Sequence, residues 1–545
     1  MTESGVPMTK KYDAAAMLNA IIGPEPEFDR IDRELSCDVI ICGGGLAGVS
    51  ALRSAVEEGA SAILFEKCKT VQGRSGAFGA IGFRDYNRFG CSREEMCRKV
   101  AAEIVKEGGY RGDYNIVRYW VEHSGEDLEW YIAPLGDLYI LKTTTDTVPE
   151  GVSYWLQSSR DPLPENLQPD SDYFPSYPGV WQFRPGGHMP ALKKNFETAM
   201  DSGLAQAFFA TPVRKLIKED GRVVGVIAEE EDGTIIRARA RGGVVLATGD
   251  YSGDDDFMEF YAPQVAGNLR IYGSRDPQGK KANTGDGHRM GVWAGAKIED
   301  GPHAYVAHNM GGPLGINAYL QLDALGRRFM NEDAGGMQVE NRIERLPGRF
   351  SWQIFDSSWP DHAPDYSIIH GTVSHVFDKQ AQRDGAVNPT LNNMDGYNSV
   401  EDVEKAAETG KLLKADTLEE LIEKMGLPME TATASIRRYN ELSEQGDDVD
   451  FGKKPSRMFP VKKAPFYACK LTPAPLLVTV SGLMSDAEAH ALDENGMPVP
   501  GLYVAGNVQG SRFGSEDPSM FPGTSHGMAL TYGRVAGRNA AKEAK

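Results

Sequence analysis

Apolar and polar positions along the chain fall into blocks that read as an α/β protein. Val39 to Cys42 is a short apolar run suited to a buried parallel strand. Residues 46–58 follow as a helix, and Ala62 to Phe65 as a second buried strand. Farther on, ATPVRKLIKEDGRVVGVIAEEEDGTIIRARARGGVVLATGD predicts strands joined by turns at Asp220-Gly221 and Asp232-Gly233. It ends in an apolar strand over Val244 to Ala247. Between Lys411 and Asn440, ADTLEELIEKMGL and METATASIRRYNEL carry helical apolar spacing and predict two helices. The charged stretch SEQGDDVDFGKK after them reads as a solvated loop. A final helix begins near Ser525, and no internal repeat interrupts this order.

Chemistry enters between the first strand and helix. Gly43, Gly45 and Gly48 stand there at G-x-G-x-x-G spacing. The first permits a tight turn, the second lets backbone approach a pyrophosphate, and the third lets helix and strand pack closely. Amides at the helix N-terminus can then hold phosphates. Glu66 closes the second strand, where a carboxylate accepts from ribose hydroxyls and disfavours a 2′-phosphate. FAD or NAD therefore fits better than NADP. A glycine turn after a strand is common by itself, and the specific signal is strand, turn, helix, strand and terminal acid in that order. Thr70 to Phe83, rich in Gly, Ala and Ser, lets backbone lie close to a large planar ligand.

Composition narrows the picture. A chain of 545 residues holds more than one domain. Acidic residues outnumber basic ones, 77 to 58, and the net charge of -19 argues against sequence-independent nucleic-acid binding. The apolar share of 41% supplies a large core. No apolar run is long enough for a transmembrane helix. Residues 1–35 lack a secretory-signal pattern and read as an extension before the fold, lying along the main domain or joining the interface of a homo-oligomer. Six cysteines include no Cys-x-x-Cys pair, so no metal site is expected and a reduced, cytoplasmic setting is the default.

The set GGGLAGVSA, LFEK, the Ser/Gly/Ala segment, ATG, TGDGH, LGRRFMNED, ADTLEELIEKMGL, RRYNELSEQGDDVDFGK, APFYA and PGLYVAGN resembles the flavoprotein superfamily of fumarate reductase and succinate dehydrogenase. Ketosteroid dehydrogenases belong to the same superfamily. The resemblance implies a Rossmann-like FAD-binding domain of the GR2 type, interrupted by an inserted α+β cap. It places the flavin domain at 36–300 and 466–545 and the cap at 301–465, with substrate between them. The FAD contacts it implies are Gly43, Gly45, Gly48, Glu66 and Lys67 for the ADP half, with Val213 meeting the adenine. Ser75, Gly79 and Ala80 would lie near the flavin ring, Thr248 and Gly249 on the pyrophosphate side, Asp286 in the Gly-Asp-Gly contact and Asn507 beside the ribityl chain. The final helix, from about Ser525, would aim its positive end at the flavin ring. No His lies in 70–83, so non-covalent FAD is expected.

Departures from the fumarate reductase pattern shape the expected substrate. The family's proton-donating Arg falls on Gly336, its clamp His on about Val478, and its C-terminal clamp on SMFPGTSHG (519–527). That last segment is nearer the ketosteroid dehydrogenases, but Phe521 replaces their hydride-path Tyr. Candidate proton donors are His526, Tyr305, His308 and Arg342, with His303, Arg345 and Arg512 close behind; for each, a structural or solvent-facing role competes. The expectation is an FAD-dependent reductase or dehydrogenase acting on a carbon–carbon bond of a bulky, neutral, ring-bearing substrate such as a steroid enone or plant polyphenol. Electrons would come from reduced nicotinamide or a redox protein. The alternatives are a fumarate- or urocanate-type reductase of a carboxylated alkene, or a non-catalytic flavin electron carrier.

Overall fold

The computed structural model describes residues 13–73, 76–83, 93–142, 149–158, 180–184, 187–270, 274–307, 309, 311–312, 314–316, 318–362, 365, 400–516 and 522–545. Its organising element is an eight-stranded sheet. Strand Arg33–Cys42 lies at the centre, parallel to Ile235–Leu246 on one side and Ala62–Phe65 on the other. Pro498–Val504 extends the sheet beyond Ile235–Leu246, and Ala205–Phe208 beyond Ala62–Phe65, both again parallel.

Both faces of these strands are covered, which is why the run Val39–Cys42 carries no polar side chain. Val39 and Ile41 join the apolar core on one face, and Ile40 and Cys42 the core on the other. Helix Leu46–Glu57 packs on the first face beneath the terminal helix Thr524–Glu543. Backbones come close there: a Cβ at Gly537 would meet the Ala51 carbonyl oxygen at 2.1 Å.

Register decides where function gathers. Cys42 pairs with Leu246 and with Phe65, Leu246 with Val504, and Phe65 with Phe208. Five parallel strands thus end level, and the segments after them converge on one edge, where α/β sheets place their ligands. The predicted hairpin is present as Val213–Glu219, Arg222–Glu229 and Ile235–Leu246. Asp220 at φ 47° and Gly221 at φ 82° form its left-handed turn. Helix Ala14–Ile22 of the N-terminal extension docks on this body, with Trp293 Nε1 donating to Gly23 O at 3.0 Å. Among the described residues no helix is long and apolar enough to cross a membrane.

A second unit is built on an antiparallel sheet ordered Leu320–Leu322, Ser351–Asp356, Phe466–Leu471 and Leu413–Ala415. The two predicted helices stand beside it as Leu418–Met425 and Met429–Gln445. The stretch after them is largely the solvated loop expected from its charge, with two exceptions. Asp448 and Lys453 are buried, because their charges are compensated inside the unit. Arg328 grips Glu332 at 2.9 Å and Asp448 at 2.7 Å, while Lys453 Nζ reaches Glu332 at 3.0 Å and the Tyr439 hydroxyl at 3.0 Å. The chain enters this cap through Tyr305–Val306 and returns through Val478–Thr479, and these two short strands pair with one another.

Candidate active site

At the level edge of the sheet, Gly43 turns the chain at φ 113°, a conformation that favours glycine. A Cβ at Gly48 would meet the Gly43 carbonyl oxygen at 1.8 Å, so only glycine lets helix Leu46–Glu57 start so near the strand. Gly45 caps that helix without any side-chain hydrogen bond, leaving its first amides turned to the cleft. The Glu66 carboxylate accepts from Gly44 N at 2.5 Å and Cys68 N at 2.6 Å, bracing the glycine turn. Two such bonds leave lone pairs for a ribose hydroxyl. Val213 is buried at the start of its strand, and the segment leading to it donates from Thr211 N to Glu66 O at 2.9 Å.

Lys67 Nζ pairs with Asp286 Oδ2 at 2.7 Å and donates to Thr284 Oγ1 at 3.1 Å. Burial pushes the Asp286 carboxyl up, but Lys67, Thr284 and Arg289 outweigh it and hold the group below its ordinary range. Asp286 opens helix Asp286–Ala294, where a negative charge complements the dipole. Beside it, Thr248 Oγ1 is buried with no hydrogen-bond partner among the described residues. Such an orphaned hydroxyl suits a phosphate oxygen.

The far side of the cleft is the start of the terminal helix. Gly79 N donates to Gly523 O at 2.9 Å, locking the glycine-rich arc to this helix, and Ala80 is buried behind it. Ser525 Oγ donates to Asn507 Oδ1 at 3.2 Å. The helix begins at Thr524, one residue before the expected Ser525. His526 stacks on Phe78 with ring centroids 5.2 Å apart, and a Cβ at Gly76 would meet its Cε1 at 2.8 Å. Gly43, Gly45, Glu66, Lys67, Thr248, Gly249, Asn507, Ser525 and His526 are all partly exposed. An anion-binding helix start, an orphaned hydroxyl, a ribose-side acid and a glycine-lined slot form a cradle that fits an extended dinucleotide such as FAD.

The chain matches the FAD binding domain family over residues 38–518. It belongs to that family. A vinyl phenol reductase of Lactiplantibacillus plantarum is 26% identical over 93% of this chain and 97% of its own length. An NADH:acrylate oxidoreductase of Vibrio harveyi is 26% identical over 93% of the chain, which spans half the length of that relative. The crystal structure of 3-ketosteroid-Δ4-(5α)-dehydrogenase from Rhodococcus jostii, in complex with 4-androstene-3,17-dione, superposes with a TM-score of 0.67 at 23% identity, covering 94% of this chain and 98% of that one, and establishes the shared fold. The protein is an FAD-dependent oxidoreductase with a Rossmann-like flavin domain and a cap.

Other candidates fall elsewhere in this flavoenzyme. Ser75, His308 and Phe521 lie outside the described residues. Tyr305 is buried at the cap seam, its hydroxyl donating to Asn341 Oδ1 at 3.0 Å and Glu344 Oε2 at 3.2 Å. His303 sits between the Tyr251 hydroxyl and Glu299 O, and burial pushes its imidazole down to about 3, leaving it neutral. Arg342 and Arg345 are exposed. Arg512 is buried and donates to the carbonyls of Gln509 and Val480. Sequence spacing missed His188, whose Nδ1 meets the Tyr131 hydroxyl at 3.0 Å and whose ring lies 5.8 Å from His526. It also missed Glu340 and Glu344, whose partners come from distant segments.

Proposed function

We propose that this flavoenzyme reduces an activated carbon–carbon double bond in a neutral, ring-bearing substrate: an alkenyl phenol, a steroid enone or a plant polyphenol. The observation that carries the reading is the apolar character of the positions where a dicarboxylate clamp would stand. Gly336 opens its helix with no side chain, and Val478 is buried in the strand pair with Tyr305 and Val306. The vinyl phenol reductase, matched along nearly its whole length, supports the same substrate class. Bound FAD supplies hydride chemistry at N5.

The residues of the chain do the rest. Glycine amides and Thr248 hold the phosphates, and Glu66 the ribose. The terminal helix turns its positive end toward the ring, where it favours negative charge. His526, on the first turn of that helix, holds the proton that completes reduction at the carbon next to the one receiving hydride. Electrons come from a separate donor, a reduced nicotinamide or a redox protein.

Anaerobic reduction of the flavin, followed by reoxidation with a panel of alkenyl phenols, steroid enones, polyphenols and unsaturated dicarboxylates, tests the reading. Rapid reoxidation by a neutral ring-bearing compound is expected. Reoxidation by dicarboxylates alone would overturn it. His526→Gln should keep its flavin and lose about 10²–10³-fold in that reoxidation rate.

A further inference from the structure

The extension before the fold has no part in the chemistry above, yet its helix lies against an element that opens on the cofactor cleft. Helix Ala14–Ile22 has nine residues, too few for a stable helix alone in water, so its order comes from docking. Ile22 is buried in the core on the Ile40 face of the main sheet, and Leu18 and Ile21 pack against that core.

The helix ends on Gly23 at φ 66°, and its last carbonyls have no partner within the helix. Arg289 Nε donates to Ile21 O at 3.2 Å, and Trp293 Nε1 to Gly23 O at 3.0 Å. These two side chains stand one turn apart on helix Asp286–Ala294, whose first residue is the acid paired with Lys67. A guanidinium at a helix C-terminus also answers the helix dipole. Past Gly23 the segment runs on to strand Val213–Glu219, where Glu25 pairs with Lys215 at 3.4 Å.

The same guanidinium reaches the cofactor side. Arg289 Nη1 donates to Thr284 O at 2.6 Å and Nη2 to Asp254 Oδ2 at 2.7 Å. The Thr284 hydroxyl donates to Asp286 Oδ1 at 2.8 Å and accepts from Lys67 at 3.1 Å. Asp254 caps helix Asp255–Tyr261 by accepting from Phe257 N at 3.0 Å. Arg289 Cζ stands 4.7 Å from the centroid of the Phe257 ring, and a Cβ at Gly285 would meet that ring at 2.8 Å. One side chain thus joins the N-terminal helix, the loop that carries Asp286 and the wall behind that loop.

We propose that the N-terminal helix is a strap on the FAD site and that Arg289 is the positioning residue through which it acts. Docked, the helix holds residues 284–286 in the shape that keeps Lys67 and Asp286 against the ADP half of FAD. Undocked, it lets the cofactor leave. The inference rests on reading the cleft as the FAD cradle and on no particular substrate. Coupling between two sites is reciprocal, so bound FAD also keeps the helix docked.

Release of FAD from the full-length, FAD-loaded protein, read by the rise of free-flavin fluorescence, tests the strap. Amide hydrogen exchange is followed beside it at residues 16–22, with Val39–Cys42 as reference for global opening. Ile22→Asp puts a charge into the core and should strip protection from the helix while the reference strand keeps its own. FAD release should then be about five- to tenfold faster. Arg289→Lys keeps the charge near Asp286 but cannot span three acceptors, and should speed release by a similar factor. Unchanged release in Ile22→Asp with the helix amides exchanging freely, or a wild-type rate in Arg289→Lys, would overturn the strap. Lys67→Met separates the two readings. If it leaves release unchanged, the placement of the ADP half fails and the strap with it; if it speeds release while the other two variants do not, the strap alone fails.

Discussion

The surroundings of the cofactor cleft and the cap both bury polar groups, but by different means. Around the cofactor cleft the polar work falls largely to backbone: the turn at Gly43, the uncapped helix at Gly45 and the Gly523 carbonyl, set in walls of Val, Ile, Leu and Ala. The cap instead buries whole charges, with Arg328, Glu332, Asp448 and Lys453 closing on one another around Tyr439. A backbone site tolerates no added volume, since the displaced atoms belong to the fold itself. A charge network tolerates volume better but not the loss of a partner, which leaves its neighbour ionised and dry.

That contrast ranks the consequences of mutation. Gly48→Ala should be the most damaging, because its Cβ would stand 1.8 Å from a carbonyl oxygen that cannot retreat. Loss of bound FAD on desalting and destabilisation of about 3 kcal/mol or more are expected, read by flavin absorbance and thermal unfolding. Glu332→Ala should cost about 3–5 kcal/mol in the cap, since Lys453 would keep its burial and lose its carboxylate. Calorimetry should then show a separate early transition with FAD still held. If flavin departs in the same transition, body and cap are one cooperative unit and the contrast fails.

Lys67→Met acts in the partly exposed part of the cleft and should weaken FAD binding by about three- to tenfold. The Asp286 carboxyl is held below its ordinary range, so its contribution is present above its unfolded value and disappears as pH falls through its folded one. Acid titration of FAD release should show that step, and Asp286→Asn should remove it. Smallest of all, Arg342→Ala should leave stability within about 0.5 kcal/mol and the reoxidation rate within about twofold, because the side chain is exposed.

The legibility of the two regions differs for the same reason. Gly43, Gly45, Gly48 and Glu66 lie within one strand–helix–strand unit, so their spacing alone announces the cradle, and every main-sheet strand predicted at that end is present. The cap helices were equally visible from their periodicity. Hidden from local pattern was the fate of two of its charges: within the largely solvated SEQGDDVDFGKK, Asp448 and Lys453 are buried by Arg328 and Glu332, more than a hundred positions earlier. His188 gave no signal either, being a lone histidine brought beside His526 by the meeting of distant segments.

The sequence by itself determined the nucleotide-binding unit, its preference for a dinucleotide without a 2′-phosphate, and the alternation of buried strand and helix around it, because these depend on backbone conformations and periodicities set by near neighbours. Only the tertiary structure decided which charges are buried, which histidine borders the glycine arc, and that Glu340 and Glu344 meet Ala474, Asn309 and Tyr305 at the seam. Those outcomes depend on desolvation and on partners supplied from far along the chain, and a side chain has neither until the whole fold closes around it.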